Sequence, residues 1–492
     1  MTKKTLISIS MIFTFPVVGL SLETPTYNIV DTGQKNYYSD TSYIKKPNRG
    51  NSYFGQDSNY LGNQANYTNN QDGTITDNNT KLMWQKTISK KLIWSEAVDY
   101  ANSSNLAGYS DWRIPTIKEL YSLIDFQGKT GSGKIKSTQV PSNAKPYINT
   151  NYFDFEYSKE NRYIDAQYWT QTDYTSTTMK GSKTFFGVNF ADGRIKGYPK
   201  FNKGRRGSTS FYLRLVRGNK KYGINDFVKN DNKTIYDKAT TLTWMKNDSK
   251  KGLDWNKALA YCENLDYAGI NSWRLPNAKE LQSIVDYTKS PDSTNSASIS
   301  NVFAISSIKN EENKQDYPSF WSSTTHLDGK NIGSHAVYIS FGRALGFMTD
   351  RRTNSKELMD VHGAGAQRSD PKSGDNSRFK EGRGPQGDVV RIKNYVRCVS
   401  DAFTKINGSN DYKIESSNQR PSFNQNNRDS NQNFETRGNN VGPISKFDKN
   451  SDNKISYKEA PSMMKKNFTR HDLNGDGFID KEESRTLPRP RR

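Results

Sequence analysis

All eight tryptophans of the chain fall on two copies of one pattern. Trp84, Trp94, Trp112 and Trp169 are matched in order by Trp244, Trp255, Trp273 and Trp321. Their neighbours repeat with them. Asp77–Trp84 (DNNTKLMW) returns as Asp237–Trp244 (DKATTLTW), and Leu106–Pro115 (LAGYSDWRIP) as Tyr267–Pro276 (YAGINSWRLP). Lys118–Asp125 (KELYSLID) returns as Lys279–Asp286 (KELQSIVD), Tyr168–Thr170 as Phe320–Ser322, and Tyr212–Val216 (YLRLV) as Tyr395–Val399 (YVRCV). Self-similarity of this kind confines the fold to two copies of one unit. Each indole buries a large area, so four at fixed places read as packing anchors. A ligand-stacking role for one or two of them is the competing reading.

The copies span residues 67–218 and 223–402. Each opens on a turn-rich, strand-like piece, Asp72-Gly73 followed by Thr74–Thr76 in the first. Apolar residues three and four apart then predict amphipathic helices over Trp94–Ser103 and Trp255–Leu265. After Pro115 and Pro276 a second helix is expected, with Thr116 and Asn277 as N-caps. Glu119 and Glu280 fall early in that helix, where a carboxylate suits the dipole, so their recurrence reads as structural before catalytic. Each copy closes on a strand ending in R-x-V. Early helices and late strands predict an α+β unit, not a doubly wound parallel sheet.

The two cysteines stand at matching places in the repeat. Cys262 aligns with Ala101 and Cys398 with Leu215, so one copy has both and the other neither. Paired presence and paired absence predict a Cys262–Cys398 disulfide tying the first helix to the closing strand. Two separate buried thiols are the alternative.

Residues 441–487 carry a different chemistry. Asp448–Glu459 (DKNSDNKISYKE) and Asp472–Glu483 (DLNGDGFIDKEE) both fit the twelve-residue EF-hand loop. Such a loop needs hard oxygen donors at positions 1, 3 and 5, a carbonyl at 7, a donor at 9 and a bidentate carboxylate at 12. Loop one offers Asp448, Asn450, Asp452, the Lys454 carbonyl, Ser456 and Glu459. Loop two offers Asp472, Asn474, Asp476, the Phe478 carbonyl, Asp480 and Glu483. Gly477 and Asn453 fill position 6, where the turn favours a left-handed backbone. Ile455 and Ile479 occupy position 8 of the two loops and are expected to pair in a short ribbon. Phe468 precedes loop two at helical spacing. A small helical EF-hand pair binding calcium is therefore expected, with loop two the tighter because it carries more carboxylates.

The remaining stretches read as processing or linking segments. Lys3 and Lys4 before the apolar run Leu6–Leu20 form a signal-peptide pattern over residues 1–21, and no other apolar run is long enough to span a bilayer. Export to the periplasm, cell surface or medium is expected, where a disulfide persists. Residues 22–66 are a polar Tyr-, Asn- and Ser-rich segment that reads as unstructured. Residues 403–440 read as a disordered Asn/Gln/Ser linker and 488–492 as a basic tail. Residues 350–391 are a polar insertion in the second copy, containing HGAGAQRSDPKSG, and long loops are often functional. Lys plus Arg outnumber Asp plus Glu by 72 to 51, a net charge of +21. That excess favours anionic partners such as an acidic polysaccharide or cell surface. No helix-turn-helix or RNA-binding signature supports a specific nucleic-acid partner.

Several resemblances fail on inspection. Gly128–Ile135 (GKTGSGKI) ends in Ile where a phosphate loop needs Ser or Thr, and it follows a helix. Neither HExxH nor GxSxG occurs. The four histidines, His326, His335, His362 and His471, all lie outside the first copy, so the copies share no histidine chemistry.

The run DGTITDNNTKLMW, then AGYSDWRIPTIKEL, then YWT, then a closing YLRLVRG resembles the Lcl C-terminal domain family, and both copies carry it. The resemblance implies a bacterial surface or secreted domain. It also implies an α+β fold related to C-type lectins and the formylglycine-generating enzyme, through the stretch Arg274, Leu275, Pro276, Glu280 and Leu281. The chain lacks the Trp-Asn-Asp calcium motif of sugar-binding lectins and the oxidase's catalytic cysteine pair, so neither site is carried over. The expected function is that of a secreted calcium-binding adhesion or ligand-binding protein for anionic glycans, with no catalytic residues. The alternative is an exported enzyme with its site in the insertion.

Overall fold

The computed structural model describes residues 24–133, 137–160, 162–201, 209–328, 331–349 and 355–401, the strand at 411–413, and in the tail residues 454–456, 459–461, 465, 468–471 and 478–479. In the first unit the chain forms β1 (Tyr67–Asn69), β2 (Thr74–Asp77) and β3 (Leu82–Gln85), then α1 (Trp94–Asn102) and α2 (Ile117–Ser122). There follow β4 (Gln167–Tyr168), β5 (Asp173–Thr178), β6 (Ser182–Asn189), β7 (Arg194–Pro199) and the closing β8 (Val216–Gly218). The second unit repeats the order with β9 (Asp226–Lys229), β10 (Thr234–Asp237), β11 (Leu242–Met245), α3 (Trp255–Glu263) and α4 (Ala278–Ser283). It continues with β12 (Ser319–His326), β13 (His335–Ser340), β14 (Leu345–Thr349), β15 (Lys356–Asp360), β16 (Gln367–Pro371) and β17 (Val399–Ser400). Sheet outweighs helix in both units.

The helices start where the sequence places them. Thr116 accepts from the Glu119 amide and Asn277 from the Lys279 and Glu280 amides, while each glutamate returns a bond to its cap residue's own amide. These capping boxes satisfy donors that a helix start leaves free. The same glutamates hold the arginine of the W-R-x-P motif. Arg113 meets Glu119 through two bonds of 2.7 and 2.6 Å, and Arg274 meets Glu280 through two of 2.7 Å. One carboxylate thus caps α2 or α4 and anchors the segment that leads into it. This accounts for the recurrence of both residues.

The R-x-V ending has a structural reason too. Arg214 and Arg397 are fully buried, and their guanidinium groups donate to main-chain carbonyls. Arg397 reaches Met245 at 2.8 Å, Lys246 at 2.6 Å and Ala304 at 2.8 Å. Arg214 reaches Gln85 at 2.6 Å, at the equivalent place. A buried charge without partners would be far costlier.

Two small antiparallel sheets of like order close the units: β8-β3-β2-β1 in the first and β17-β11-β10-β9 in the second. In the second, Asp411–Lys413 adds an edge strand against β9, with Tyr412 opposite Phe227. That strand lies inside the segment expected to be a disordered linker; the rest of 403–440 is outside the described residues. A larger sheet joins the units in the order β12-β13-β16-β7-β6-β4, with β5 also on β6. Its seam is β16 against β7, Gln367 opposite Ile195. β15 and β16 both come from the insertion at 350–391. The insertion is therefore not simply a loop: it supplies the strand that fastens the second unit to the first.

All eight tryptophans are buried. Trp84 and Trp244 sit in one apolar core shared by both units, while Trp94, Trp112 and Trp169 anchor a satellite of the first and Trp255, Trp273 and Trp321 a satellite of the second. Each removes roughly 200 Å² from water, about 5 kcal/mol at ~25 cal/mol per Å². Cys262 and Cys398 are joined by a disulfide within the second satellite, their Cα atoms 5.6 Å apart. Ala101 and Leu215 fill the matching place in the first.

Residues 24–66 overturn the expectation of an unstructured segment. Tyr27, Val30 and Tyr38 are buried, and the segment contacts both units. The Phe126 amide donates to the Thr32 carbonyl at 2.8 Å, and the Tyr27 amide to the Ala239 carbonyl at 3.2 Å. Gln34 behaves as a peptide group: its Nε2 donates to the Thr325 carbonyl at 2.7 Å and its Oε1 accepts from the Thr325 amide at 2.8 Å. The polar composition that suggests disorder is satisfied by partners far along the chain.

Candidate metal centre and the pocket beneath the amino-terminal segment

Of the twelve calcium ligands read from the sequence, Lys454, Ser456, Glu459 and Phe478 lie among the described residues. Asp448, Asn450, Asp452, Asp472, Asn474, Asp476, Asp480 and Glu483 lie outside them. What is described fits a paired hand. Ile455–Ser456 and Phe478–Ile479 form a two-stranded antiparallel ribbon, Ile455 opposite Ile479 and Ser456 opposite Phe478. Position 8 of one loop thus faces position 8 of the other, and position 9 faces position 7. That register is the one a two-fold pair of loops requires. Both isoleucines are fully buried, and Phe468, on a short helix at Phe468–His471, is buried with them.

Glu459, the twelfth residue of loop one, is already oriented. Its Oε2 accepts from the Ser456 amide at 2.9 Å and the Ser456 hydroxyl at 2.8 Å. A carboxylate fixed against position 9 suits a hard cation such as calcium. Among the described residues no group of three or more His, Cys, Asp and Glu has metal-binding geometry.

The histidines keep separate company. His326 bonds the Asp192 carbonyl at 2.9 Å, His335 the Ser334 hydroxyl at 2.9 Å and His362 the Asp388 carboxylate at 3.0 Å. Burial holds their pKa values down, to about 3, about 3 and about 4, so all three are neutral imidazoles. In the insertion, Asp388 is also paired with Arg368. Other charges of the insertion reach outside it, Arg391 to Glu311 at 2.7 Å and Arg383 to Asp328 at 3.9 Å.

A pocket of about 340 Å³ opens between the amino-terminal segment and the second unit, lined by Asp31, Asp57, Tyr60, Arg274, Glu280 and Asp401 among others. Nothing in the sequence marked it, because Asp31 and Asp57 belong to the segment read as unstructured. Asp57 accepts from Thr32 Oγ1 at 2.7 Å and from Thr324 Oγ1, bridging segment and unit. Burial, then the nearby Asp31 charge, push its carboxyl up to about 7. Arg274 is the pocket's cation and is held by Glu280 and Asp401. The lining thus carries four carboxyl groups against one arginine that is already paired.

A family model for the Lcl C-terminal domain matches residues 73–217 and again 233–359, together more than half of the chain. The chain belongs to the Lcl C-terminal domain family. The first Lcl domain match covers β2 to β8 nearly whole. The second ends in β15, within the insertion, so the seam strand and closing strand of that Lcl domain lie beyond it. An EF-hand model matches residues 468–487, which contain loop two. No curated protein and no solved structure matches the chain.

Proposed function

We propose that this Lcl-family protein is an exported calcium-binding protein whose twin domains act as a binding module for anionic glycans, and that it is not an enzyme. The observation that carries the calcium reading is the ribbon pairing Ile455 with Ile479, which sets two twelve-residue loops in two-fold register. Loop one would hold the ion through Asp448, Asn450, Asp452, the Lys454 carbonyl, Ser456 and Glu459, and loop two through Asp472, Asn474, Asp476, the Phe478 carbonyl, Asp480 and Glu483. Calcium would cancel the repulsion among these carboxylates and so favour the folded tail. Export is supported by the disulfide and by the leader pattern at 1–21, which lies outside the described residues. No described helix is long and apolar enough to cross a membrane. The net charge of +21 supports an anionic partner. Kinship of each domain to C-type-lectin-like and formylglycine-generating-enzyme-like folds belongs to the same reading, supported by the R-L-P-x-x-x-E-L stretch at Arg274–Leu281.

Calorimetric titration of the full chain with calcium tests it. Two ions should bind, with dissociation constants of about 10⁻⁴–10⁻³ M or tighter. Glu483→Gln should weaken binding more than Glu459→Gln, because loop two carries more carboxylates. Absence of binding heat in the wild-type chain would defeat the reading.

A further inference from the structure

Lys118 and Lys279 occupy the same place in the repeat, the first residue of K-E-L, and both are buried. Each crosses to the other unit. Lys118 Nζ donates to the Ser283 carbonyl at 2.7 Å, and Lys279 Nζ to the Ser122 carbonyl at 2.8 Å. There the likeness ends. Lys118 Nζ also lies 2.9 Å from the Gly223 carbonyl and 3.1 Å from Asn225 Oδ1. Asn225 Nδ2 in turn donates to Asp237 Oδ2 at 2.8 Å. Lysine, amide and carboxyl group stand in line. Asn225 is 3% exposed and Asp237 0%.

We propose that Lys118 and Asn225 are joined by a side-chain isopeptide bond, formed with Asp237 as the proton-transferring group, so that the two units are covalently tied. The chemistry balances without a co-reactant. The Lys118 Nζ lone pair adds to Asn225 Cγ, the Cγ–Nδ2 bond breaks, and ammonia leaves. Asp237 gives its proton to the departing nitrogen and recovers one from Nζ.

Burial shifts both ionisable groups toward their uncharged forms. Burial lowers the Lys118 amine to about 8. Burial likewise raises the Asp237 carboxyl above its ordinary range. A neutral amine has two N–H bonds and one lone pair. The nitrogen donates to the Ser283 and Gly223 carbonyls and, third and longest, to Asn225 Oδ1, so the proton lost on neutralisation is the one toward the amide, and the lone pair is freed beside Asn225 Cγ. Gly223 is necessary to this approach. It sits at φ +81, and a Cβ there would lie 2.9 Å from Lys118 Cβ and Cδ.

The other half of the repeat is an internal control. Tyr67 pairs with Asp77 as Phe227 pairs with Asp237, which places Ala65 where Asn225 stands. Lys279 therefore has no side-chain amide to attack. Asp77 Oδ2, the counterpart of the oxygen that accepts from Asn225, is buried without a hydrogen-bond partner.

Intact-mass measurement of the folded full chain decides the matter. With the disulfide reduced, the cross-linked protein is lighter by about 17 Da, one ammonia, than the sequence of the mature chain. Tryptic mapping should return one branched peptide joining the Lys118 and Asn225 segments, since a modified lysine resists cleavage. Lys118→Arg, Asn225→Ala and Asp237→Asn should each restore the full mass, and Lys279→Arg should leave the deficit in place. Wild-type protein that unfolds cooperatively yet yields linear peptides cleaved at Lys118 would overturn the proposal, whatever the variants do. A persisting cross-link in Asp237→Asn would remove Asp237 from the chemistry.

Discussion

At the scale of single residues, the repeated glutamate performs two tasks with one carboxylate. Glu280 caps α4 and holds Arg274, and the pair is nearly buried at 9% and 10% side-chain exposure. Glu280→Gln should therefore cost about 3 kcal/mol in denaturant unfolding, because a desolvated guanidinium is left with only the exposed Asp401 as counter-charge. Glu119→Gln should cost less, since Arg113 is more exposed at 22%. Asp57 gives a pH signature of defined sign. In the folded protein its carboxyl holds its proton up to about 7. In the unfolded chain an aspartate gives up its proton near ~4. The native state thus binds the extra proton between these values, and this contribution to stability fades as pH rises from about 4 to about 7. Asp57→Asn should remove that slope, so the difference in melting temperature should shift in the variant's favour from about pH 5 to about pH 7. A parallel pair of curves would assign the slope to other carboxyls. The capping residues were legible in the sequence, because Thr116, Asn277 and the glutamates three residues later form a local pattern. Asp57 was not, since what raises its pKa is a burial created by distant chain.

At the scale of elements, the duplicated pattern revealed the helices, their caps and the disulfide before any coordinates. The disulfide could be read because one copy retains Ala101 and Leu215 at the same contact. Replacing Cys262→Ala together with Cys398→Leu should still fold, with a loss of about 3 kcal/mol measured by denaturant titration. A loss near zero would mean that the second satellite core needs no covalent closure. The pairing of Ile455 with Ile479 was equally legible, since loop position fixes it. The seam strand β16 was not. Its residues Gln367–Pro371 are polar and alternate too weakly to mark a strand, and its partner β7 lies in the other copy. The strand forms because main-chain groups at the seam need partners, not because its side chains prefer it.

At the scale of the whole molecule, two Lcl domains share one core and one sheet, and the amino-terminal segment binds both. Surface electrostatics follow from the sum of charges. The full chain should be retained on immobilised heparin and should elute earlier as salt rises, because exposed ion contacts are screened within ~10 Å at 0.1 M. Elution at very low salt would count against an anionic partner. The placement of residues 24–66 also orders events in time. Gln34 is made early, yet the strand residue that completes its bonds is Thr325, 291 positions later. Synthesis proceeds from the amino terminus, so a stretch that emerges early must wait for a partner made late. A nascent chain crossing a membrane would carry that stretch open, its tyrosines and buried acids still wet, until nearly all of the second domain had followed. Maturation of this protein is thus a closing act performed by residues made early, and a truncated product lacking the second domain would offer them only half a seat.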